Sequence, residues 1–265
     1  MNIIQVSNLT KKFNDFVAVD NISFNVKSGE IFAFLGPNGA GKSTTIKMLT
    51  TLLRQDSGEI ILNGHNTLTQ SDEVRHSFGI VFQDPSLDDE LTAFENMEFH
   101  GVLYGLPKKI RRQRIEEMLR FVELENRKND LVKEFSGGMK RRLEIGRGLL
   151  HHPKVIFLDE PTLGLDPQTR NHMWKYLQEL NKKEGTTIFL TTHYMEEADR
   201  IAQRIAVIDH GKIIASGTST ELQSQTQTNS LEDAFLALTG KNIREESGSG
   251  IDHLRSVSKM WHKKR

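Results

Sequence analysis

The chain has 265 residues, of which 37% are hydrophobic and 26% charged, so it can form one large globular domain or two small ones. Lys plus Arg and Asp plus Glu number 35 each, and this balance argues against a partner such as DNA or RNA. The absence of cysteine excludes disulfides, thiolate zinc sites and cysteine nucleophiles, and it favours a reducing compartment such as the cytosol.

The sequence contains no membrane-targeting or membrane-spanning pattern. No apolar run approaches the roughly 18 residues that a spanning helix needs. The first ten residues, MNIIQVSNLT, lack the basic-then-apolar arrangement of a signal peptide. We therefore expect any membrane role to depend on a partner.

Short apolar segments predict the strands. Ile22, Phe24 and Val26 alternate with polar residues, as in a half-exposed antiparallel strand, whereas IFAFL at 31–35 indicates a strand buried on both faces. Further runs of the buried type lie at 78–82, 155–158, 187–190 and 205–208. Helical patterns separate several of these runs, so we predict a doubly wound, mostly parallel α/β sheet with its ligands at the carboxyl ends of the strands.

The middle of the chain has a different pattern. Ile115, Met118, Leu119 and Val122 recur at helical spacing with charged residues on the other face, which predicts an inserted helical subdomain. We expect residues 1–240 to form one domain, with 1–84 and 154–240 as the core plus a β subdomain and 85–153 as the helical insert. Residues 241–265 are predicted to be a polar and basic tail.

A glycine-rich loop follows IFAFL directly and leads into the helical pattern TTIKML. Its sequence, GPNGAGKST, has the G-x-x-x-x-G-K-[ST] spacing in the strand–loop–helix context that this motif requires. Backbone N–H groups can close around phosphate oxygens here, and the helix dipole favours negative charge. Lys42 is predicted to neutralise the β- and γ-phosphates, and the Ser43 hydroxyl to ligate Mg²⁺. The residues predicted to contact nucleotide are Gly36, Pro37, Asn38, Gly39, Ala40, Gly41, Lys42, Ser43 and Thr44.

Two adjacent carboxylates follow another buried run, in VIFLDEP. Asp159 fits a Mg²⁺ partner that acts through water, and Glu160 fits the general base that polarises the attacking water. A solvated acidic turn is the plain alternative. Together with the phosphate loop, the pair indicates an NTPase, but these motifs do not distinguish kinases, GTPases, helicases and transport motors.

A further segment, FSGGMKRRLEIGRGLLHHP at 135–153, resembles the LSGGQ-type signature of the ABC ATPases and the helix that follows it. Ser136, Gly137 and Gly138 open a helix, where hydroxyl and N–H groups can receive an anion. The resemblance implies that this anion is the γ-phosphate held by an opposite protomer. It therefore implies a dimer, either of two copies or with a paralogous subunit, in which ATP and Mg²⁺ are shared across the interface.

The same resemblance, which covers residues 1 to about 240, assigns four more positions. Gln83 matches the glutamine that senses γ-phosphate and Mg²⁺ and contacts the membrane partner, and His193 matches the histidine that contacts γ-phosphate. Asp166 matches the loop that crosses the dimer interface. Phe13 stands where the family has an aromatic ring on adenine, Phe16 is a second candidate, and ordinary core packing is the alternative for either.

Phe135 and Met139 depart from the usual Leu and Gln of the signature, and Met139 cannot donate a glutamine's hydrogen bond. However, several segments are similar to those of the subfamily that powers drug-resistance and ABC-2-type exporters. They are SGGM followed by KRRLEI, and then GLDPQTR, THYMEEAD and LEDAFLALTG. This similarity implies a separate ABC-2-type transmembrane permease and a peripheral location on the cytoplasmic face of the cell membrane. Drugs or other amphipathic compounds are the implied cargo.

Three alternatives remain open from the sequence. One is an ABC ATPase that serves ribosomes or DNA repair, although the second nucleotide domain or long coiled coil usual in such proteins is missing. Another is a sensor that binds nucleotide without hydrolysing it. The tail either forms a basic amphipathic helix on an anionic membrane surface, with Ile251 and Trp261 on its apolar face, or remains an unstructured charged terminus.

Overall fold

The computed structural model describes residues 1–84, 86–163 and 165–240, so the predicted tail at 241–265 lies outside the described residues. In chain order the strands are β1 (Asn2–Phe13), β2 (Phe16–Lys27), β3 (Ile31–Leu35), β4 (Ser57–Leu62), β5 (His65–Asn66), β6 (Phe78–Val81), β7 (Val155–Asp159), β8 (Thr187–Thr192), β9 (Arg204–Asp209) and β10 (Lys212–Gly217). The helices are α1 (Lys42–Leu49), α2 (Ser71–Ser77), α3 (Ala93–Leu103), α4 (Lys108–Phe121), α5 (Gly137–Leu149), α6 (Pro167–Glu184), α7 (Met195–Ile201), α8 (Ser219–Thr226) and α9 (Leu231–Thr239).

Two sheets organise the described residues. One is antiparallel in the order β2-β1-β4-β5, and the other has the order β10-β9-β3-β8-β7-β6. In the second sheet β9, β3, β8, β7 and β6 are mutually parallel, and only β10 runs antiparallel to its neighbour. The predicted mixed fold, with a mostly parallel sheet and an antiparallel β subdomain, is confirmed.

β3 shows why the sheets stack. Phe32 and Phe34 belong to the core shared with the antiparallel sheet, where Phe24 stacks on Phe32 with ring centroids 5.8 Å apart. Leu35 and the other odd-numbered residues of β3 belong to a second core, formed with the helices. Because neighbouring residues of a strand point to opposite faces, the apolar run IFAFL fills both cores. Burying each phenylalanine contributes roughly 1.5–3 kcal/mol.

The strand predicted at 78–82 differs from the structure at its end. β6 stops at Val81, and Phe82 lies outside the strand with its carbonyl oxygen accepting a hydrogen bond from Arg141. β6 is also the edge strand of its sheet, so Ile80 is only partly buried. A continuous apolar run therefore overestimated both the length and the burial of this strand.

The described residues between β6 and β7 contain helices and no strand of the two sheets. On α4, the predicted apolar face is confirmed, because Ile115, Met118 and Leu119 are buried, as is Val122 just beyond the helix. The division at residues 84/85 and 153/154 into separate folding units stays a prediction. Among the described helices, none combines the length and apolarity that crossing a membrane requires.

Candidate functional site

Three neighbouring parallel strands bring the predicted site residues to one edge of the sheet. Leu35 at the end of β3 pairs with Thr192 at the end of β8, and Thr191 pairs with Asp159 at the end of β7. The phosphate loop leaves β3, Glu160 follows β7, and His193 follows β8. Ligands of open α/β sheets bind beyond such strand ends, so the geometry agrees with the predicted location of the site.

The phosphate loop needs glycine at a position of close backbone approach. Gly41 has φ +106°, and a Cβ there would lie 2.5 Å from the carbonyl oxygen of Ala18 on β2. Both the conformation and the contact exclude a side chain. α1 begins at the next residue, and no side chain in the described part of the chain caps its first turn. The N–H groups of that turn therefore point at the loop with the positive end of the helix dipole.

Lys42 is buried and lies against this loop. Its Nζ donates hydrogen bonds to the carbonyl oxygens of Gly36 at 2.7 Å and Pro37 at 3.2 Å, and it lies 3.6 Å from Glu160 Oε1. Burial lowers the pKa of Lys42, and the nearby carboxylates of Glu160 and Asp159 oppose that effect. The result is a cation held at the loop where phosphate oxygens are expected.

Asp159 joins the loop to the end of β7. Its Oδ1 accepts hydrogen bonds from Ser43 Oγ at 3.3 Å and from Thr191 Oγ1 at 2.5 Å, and the residue is only 5% exposed. A carboxylate beside a serine hydroxyl is a set of hard oxygen donors that suits Mg²⁺. Thr191, which sequence reasoning missed, orients this carboxylate from the neighbouring strand.

Glu160 occupies an unusual backbone conformation, with φ +46°. Its N–H is directed at both the carbonyl and the hydroxyl oxygen of Thr191, each at 3.1 Å, so β8 holds this backbone in place. Glu160 Oε2 lies 3.2 Å from His193 Nδ1, an ion-pair distance at which the ring N–H is not aligned for a hydrogen bond. Glu160 thus stands between Lys42 and His193. Left-handed residues other than glycine are often found at functional sites.

Gln83 is not brought into this group. It follows β6 by two residues, is exposed, and has no hydrogen-bond partner within the described part of the chain. Since β6 is parallel to β7, Gln83 and Asp159 lie near the same edge of the sheet. The structure therefore assembles Lys42, Ser43, Asp159, Glu160 and His193 and leaves Gln83 beside them.

The SGG segment begins α5. Ser136 is the N-cap, and its Oγ accepts a hydrogen bond of 3.3 Å from the N–H of Met139. Ser136 and Gly137 are exposed, whereas a Cβ on Gly138 would lie 2.7 Å from Thr169 Cγ2. No hydrogen bond within the described residues joins this helix tip to the phosphate loop. The tip is thus free to face another molecule.

Asp166 is the N-cap of α6. Its carboxylate accepts hydrogen bonds from the N–H groups of Gln168 and Thr169, both at 3.0 Å, and from Thr169 Oγ1 at 2.6 Å. The Thr169 hydroxyl bond is the main reason why the pKa of Asp166 is lowered. The residue therefore has a local structural role that the resemblance alone did not reveal.

Phe13 and Phe16 face each other across the hairpin between β1 and β2. Their exposed fractions are 44% and 62%, so neither ring belongs to the core. Lys11 Nζ lies 5.5 Å from the Phe13 ring centroid. The core-packing alternative does not hold, and both rings are exposed enough to meet a base.

Glu197 on α7 is another functional candidate that sequence reasoning missed. It is 5% exposed and accepts hydrogen bonds from Thr162 Oγ1 at 2.8 Å and Thr192 Oγ1 at 3.3 Å. Burial raises its pKa, and the bond from Thr162 opposes this. Glu197 thereby joins the segment before His193 to the segment after Glu160. A second missed residue, the buried Arg141, donates to the backbone on either side of the site.

Comparison with known proteins places this geometry in a family. A family model described as ABC transporter matches residues 19–163. The linearmycin resistance ATP-binding protein of Bacillus subtilis is 42% identical over 256 residues, 97% of this chain and 81% of that protein. A Nod factor export ATP-binding protein of Burkholderia lata is 44% identical, over 81% of this chain and 70% of that protein.

A solved structure supports the same assignment. It is the dimer of an ATP-binding cassette in a post-hydrolysis state, bound to ADP and Pi, with a TM-score of 0.73 at 31% identity over 81% of this chain and 98% of that one. The resemblance that residues 135–153 indicated is therefore confirmed. This chain belongs to the ATP-binding subunits of the ABC transporter family.

Proposed function

We propose that this protein is the ATP-hydrolysing subunit of an exporter, which drives transport through separate ABC-2-type membrane subunits. The observation that carries the proposal is Glu160, whose carboxylate lies 3.6 Å from Lys42 Nζ on one side and 3.2 Å from His193 Nδ1 on the other. This is an acid–base group beside a phosphate-binding cation at the mouth of a phosphate loop.

Each side chain of the site has a proposed task. The loop N–H groups and Lys42 bind the β- and γ-phosphates, Glu160 accepts a proton from the attacking water, and His193 orients the γ-phosphate. Ser43, Asp159 and Gln83 are the residues that would hold Mg²⁺, which when bound neutralises charge on the phosphate oxygens. Phe13 stacks on the adenine, with Phe16 as the second candidate.

The site is proposed to be completed by a second ATPase subunit, either another copy or a paralogue. Ser136 and Gly138 supply a hydroxyl and a helix N-terminus. Ser136 is exposed, and the hydrogen bonds of the described residues do not connect it to its own phosphate loop. Asp166 stands at the start of α6 beside this interface. ATP held between two subunits favours the closed pair, and hydrolysis removes that preference.

Docking to the membrane subunits is proposed to use α3. Phe99, Val102 and Leu103 on this helix are 62%, 54% and 66% exposed, which is a concentration of apolar side chains on a polar protein. Such a surface suits a helix of a membrane subunit lying at the cytoplasmic face of the cell membrane. The relatives named for linearmycin resistance and Nod factor export support an exported cargo, which we propose to be a drug or another amphipathic compound and not nucleic acid.

Two measurements test the proposal. Purified protein should release phosphate from ATP when Mg²⁺ is present, and an inactive protein would instead favour the non-hydrolysing sensor. For the dimer, Asn38→Cys and Ser136→Cys should be made in separate copies that also carry Glu160→Gln. Because the chain has no natural cysteine, every disulfide joins introduced thiols, and each variant alone identifies the products that join two identical positions. ATP-dependent crosslinks are expected, and their absence would contradict a site shared between two copies of this chain.

The competing class, an ATPase of ribosomes or DNA repair, makes a different prediction. Such a protein would co-purify with ribosomes or DNA, whereas an exporter subunit co-purifies with a membrane protein. A salt-sensitive association with nucleic acid and none with membranes would favour that class.

A further inference from the structure

Arg141 connects α5 to the backbone of the proposed catalytic site. It lies in the first turns of α5 and is only 8% exposed. Its guanidinium donates hydrogen bonds to four carbonyl oxygens, those of Pro161 at 2.7 Å, Asp159 at 3.2 Å, Glu160 at 3.3 Å, and Phe82. One side chain thus joins the helix to the segments that follow β6 and β7.

The segment after β6 is attached to α5 at a second point. Glu144 Oε1 accepts a hydrogen bond of 2.7 Å from the N–H of Ser86, and Arg147 Nη1 donates one of 2.7 Å to the carbonyl oxygen of Ser86. Glu144 Oε2 also accepts from Arg141 Nη1 at 3.2 Å. Gln83 follows the residue whose carbonyl Arg141 holds, and Ser86 further along the chain is attached to the same helix.

A guanidinium suits this position. It presents five N–H donors in one plane, so it can satisfy several carbonyl oxygens from different segments, whereas a lysine ammonium is a compact point charge. Burial lowers the pKa of Arg141 and Glu144 opposes the effect, which is the balance expected of a buried ion pair. The exposed Ser136 caps the start of the same helix, so a displacement of the helix tip reaches Arg141 through one rigid element.

We propose that Arg141 is a positioning residue that holds the backbone of Glu160 and the Gln83 segment in a fixed relation to α5. The inference rests on the proposed ATPase function. Two contacts then act on the same Glu160 carboxylate. One is the contact of the α5 tip with a nucleotide on the opposite subunit, and the other is the contact of the Gln83 segment with the permease. Arg141 itself does not touch nucleotide.

The test compares Arg141→Ala and Arg141→Lys with the matched control Arg142→Ala. Arg142 is the next residue on α5, but it bonds to the carbonyl oxygen of Val122 and to Glu123, both at 3.2 Å and away from the site. We expect Arg141→Ala to lower kcat at least tenfold with ATP affinity within threefold, because the phosphate loop is untouched. Arg141→Lys should show a partial loss, and Arg142→Ala should stay within twofold of the wild type.

A double-mutant cycle distinguishes positioning from general stabilisation. If Arg141 acts by orienting Glu160, Arg141→Ala should reduce the residual turnover of Glu160→Gln by less than twofold. A full tenfold loss in that background would overturn the inference, because the two effects would then be independent.

Folding is controlled with a second variant. Arg141→Met combined with Glu144→Leu removes both members of this buried ion pair together, so neither is left without the other. This variant should fold, bind ATP and still show the tenfold loss of kcat. Wild-type kcat in this variant and in Arg141→Lys would overturn the inference and leave the proposed ATPase function intact. A wild-type chain without turnover would overturn both.

Discussion

Lys42 Nζ lies 3.6 Å from Glu160 Oε1, so the cation of the phosphate loop and the carboxylate that follows β7 form one largely buried ion pair. The two residues come from distant parts of the chain and meet because β3 and β7 flank the same strand, β8. Although they are partners, they have different proposed tasks. Substituting each one should therefore change a different measured quantity.

Glu160→Gln should slow turnover severely while ATP binding persists. The amide keeps the size of the carboxylate but cannot accept the proton of the attacking water, and loss of a general base costs roughly 10²–10⁴-fold in rate. Phosphate release and equilibrium ATP binding measure the two effects, and gel filtration with ATP should show accumulated dimer. Glu196→Gln, at the exposed position next to Glu197, is the matched control. Unimpaired turnover in Glu160→Gln would refute the assigned base.

Lys42→Ala should instead weaken nucleotide binding itself. A hydrogen bond to a charged group is worth roughly 1.5–3 kcal/mol, so we expect ATP affinity to fall about 10- to 100-fold. Titration calorimetry with ATP measures this directly. Lys47→Ala removes the same charge from the same helix and should leave affinity unchanged. Full ATP affinity in Lys42→Ala would show that the phosphates bind elsewhere.

Two histidines, His100 and His151, predict that the protein loses stability as the pH is lowered. The ring of His151 stacks on that of Tyr104 with centroids 3.9 Å apart, and Tyr104 also contacts His100 at 4.7 Å. One ring nitrogen of each histidine is buried and has no hydrogen-bond partner among the described residues, although both residues are partly exposed. Burial lowers the pKa of His100 to about 3 and that of His151 to about 4, and neighbouring cations including Arg147 and Arg114 act in the same direction.

The direction of this pH dependence follows from the different pH values at which the unfolded and folded chains take up protons. Below pH 6.5 the unfolded chain binds a proton on each imidazole, while the folded chain stays neutral until about pH 4 for His151 and about 3 for His100. The stability that comes from keeping these two imidazoles neutral should therefore be fully present above pH 6.5. As the pH is lowered, the free energy of unfolding should fall by up to roughly 1.4 kcal/mol per pH unit for each imidazole. Urea unfolding at pH 7 and pH 5 measures it.

Replacing the buried imidazoles provides the control for this prediction. His100→Leu and His151→Leu should each flatten the pH dependence, because no titrating group remains at that position. Equal slopes in all variants would show that other groups cause the acid sensitivity.

Substituting the exposed apolar side chains of α3 should weaken docking to the membrane subunits and leave ATP hydrolysis unchanged. Phe99→Ser combined with Leu103→Ser should reduce binding to membranes from the source cell at least tenfold, since buried aromatic anchors each contribute roughly 2 kcal/mol to an interface. Basal ATPase activity should remain within twofold, because neither residue belongs to the site. Sedimentation with membrane vesicles measures binding. Leu52→Ser, at an equally exposed apolar position after α1, is the control.

Local sequence carried much of the predicted fold and site. The segment IFAFL followed by GPNGAGKST predicts a buried strand, a glycine loop and a helix. The apolar run must be buried, and Gly41 in the loop tolerates no side chain. The carboxylates after VIFL and the histidine after TIFLTT are likewise carried to the sheet edge by the strands that precede them. Periodicity also predicted the buried face of α4 correctly.

Other features were decided only by the tertiary structure. Arg141, Glu144 and Glu197 lie among many charged helical residues, and no local pattern separates these three from solvent-exposed neighbours. They are buried because distant backbone carbonyls and hydroxyls converge on them, and such convergence depends on how β6, β7 and β8 are ordered. The end of β6 at Val81 has the same origin, since the carbonyl of Phe82 bonds to a helix some 60 residues away. Residue types and spacing therefore determined the phosphate chemistry, whereas long-range packing decided what holds that chemistry in place.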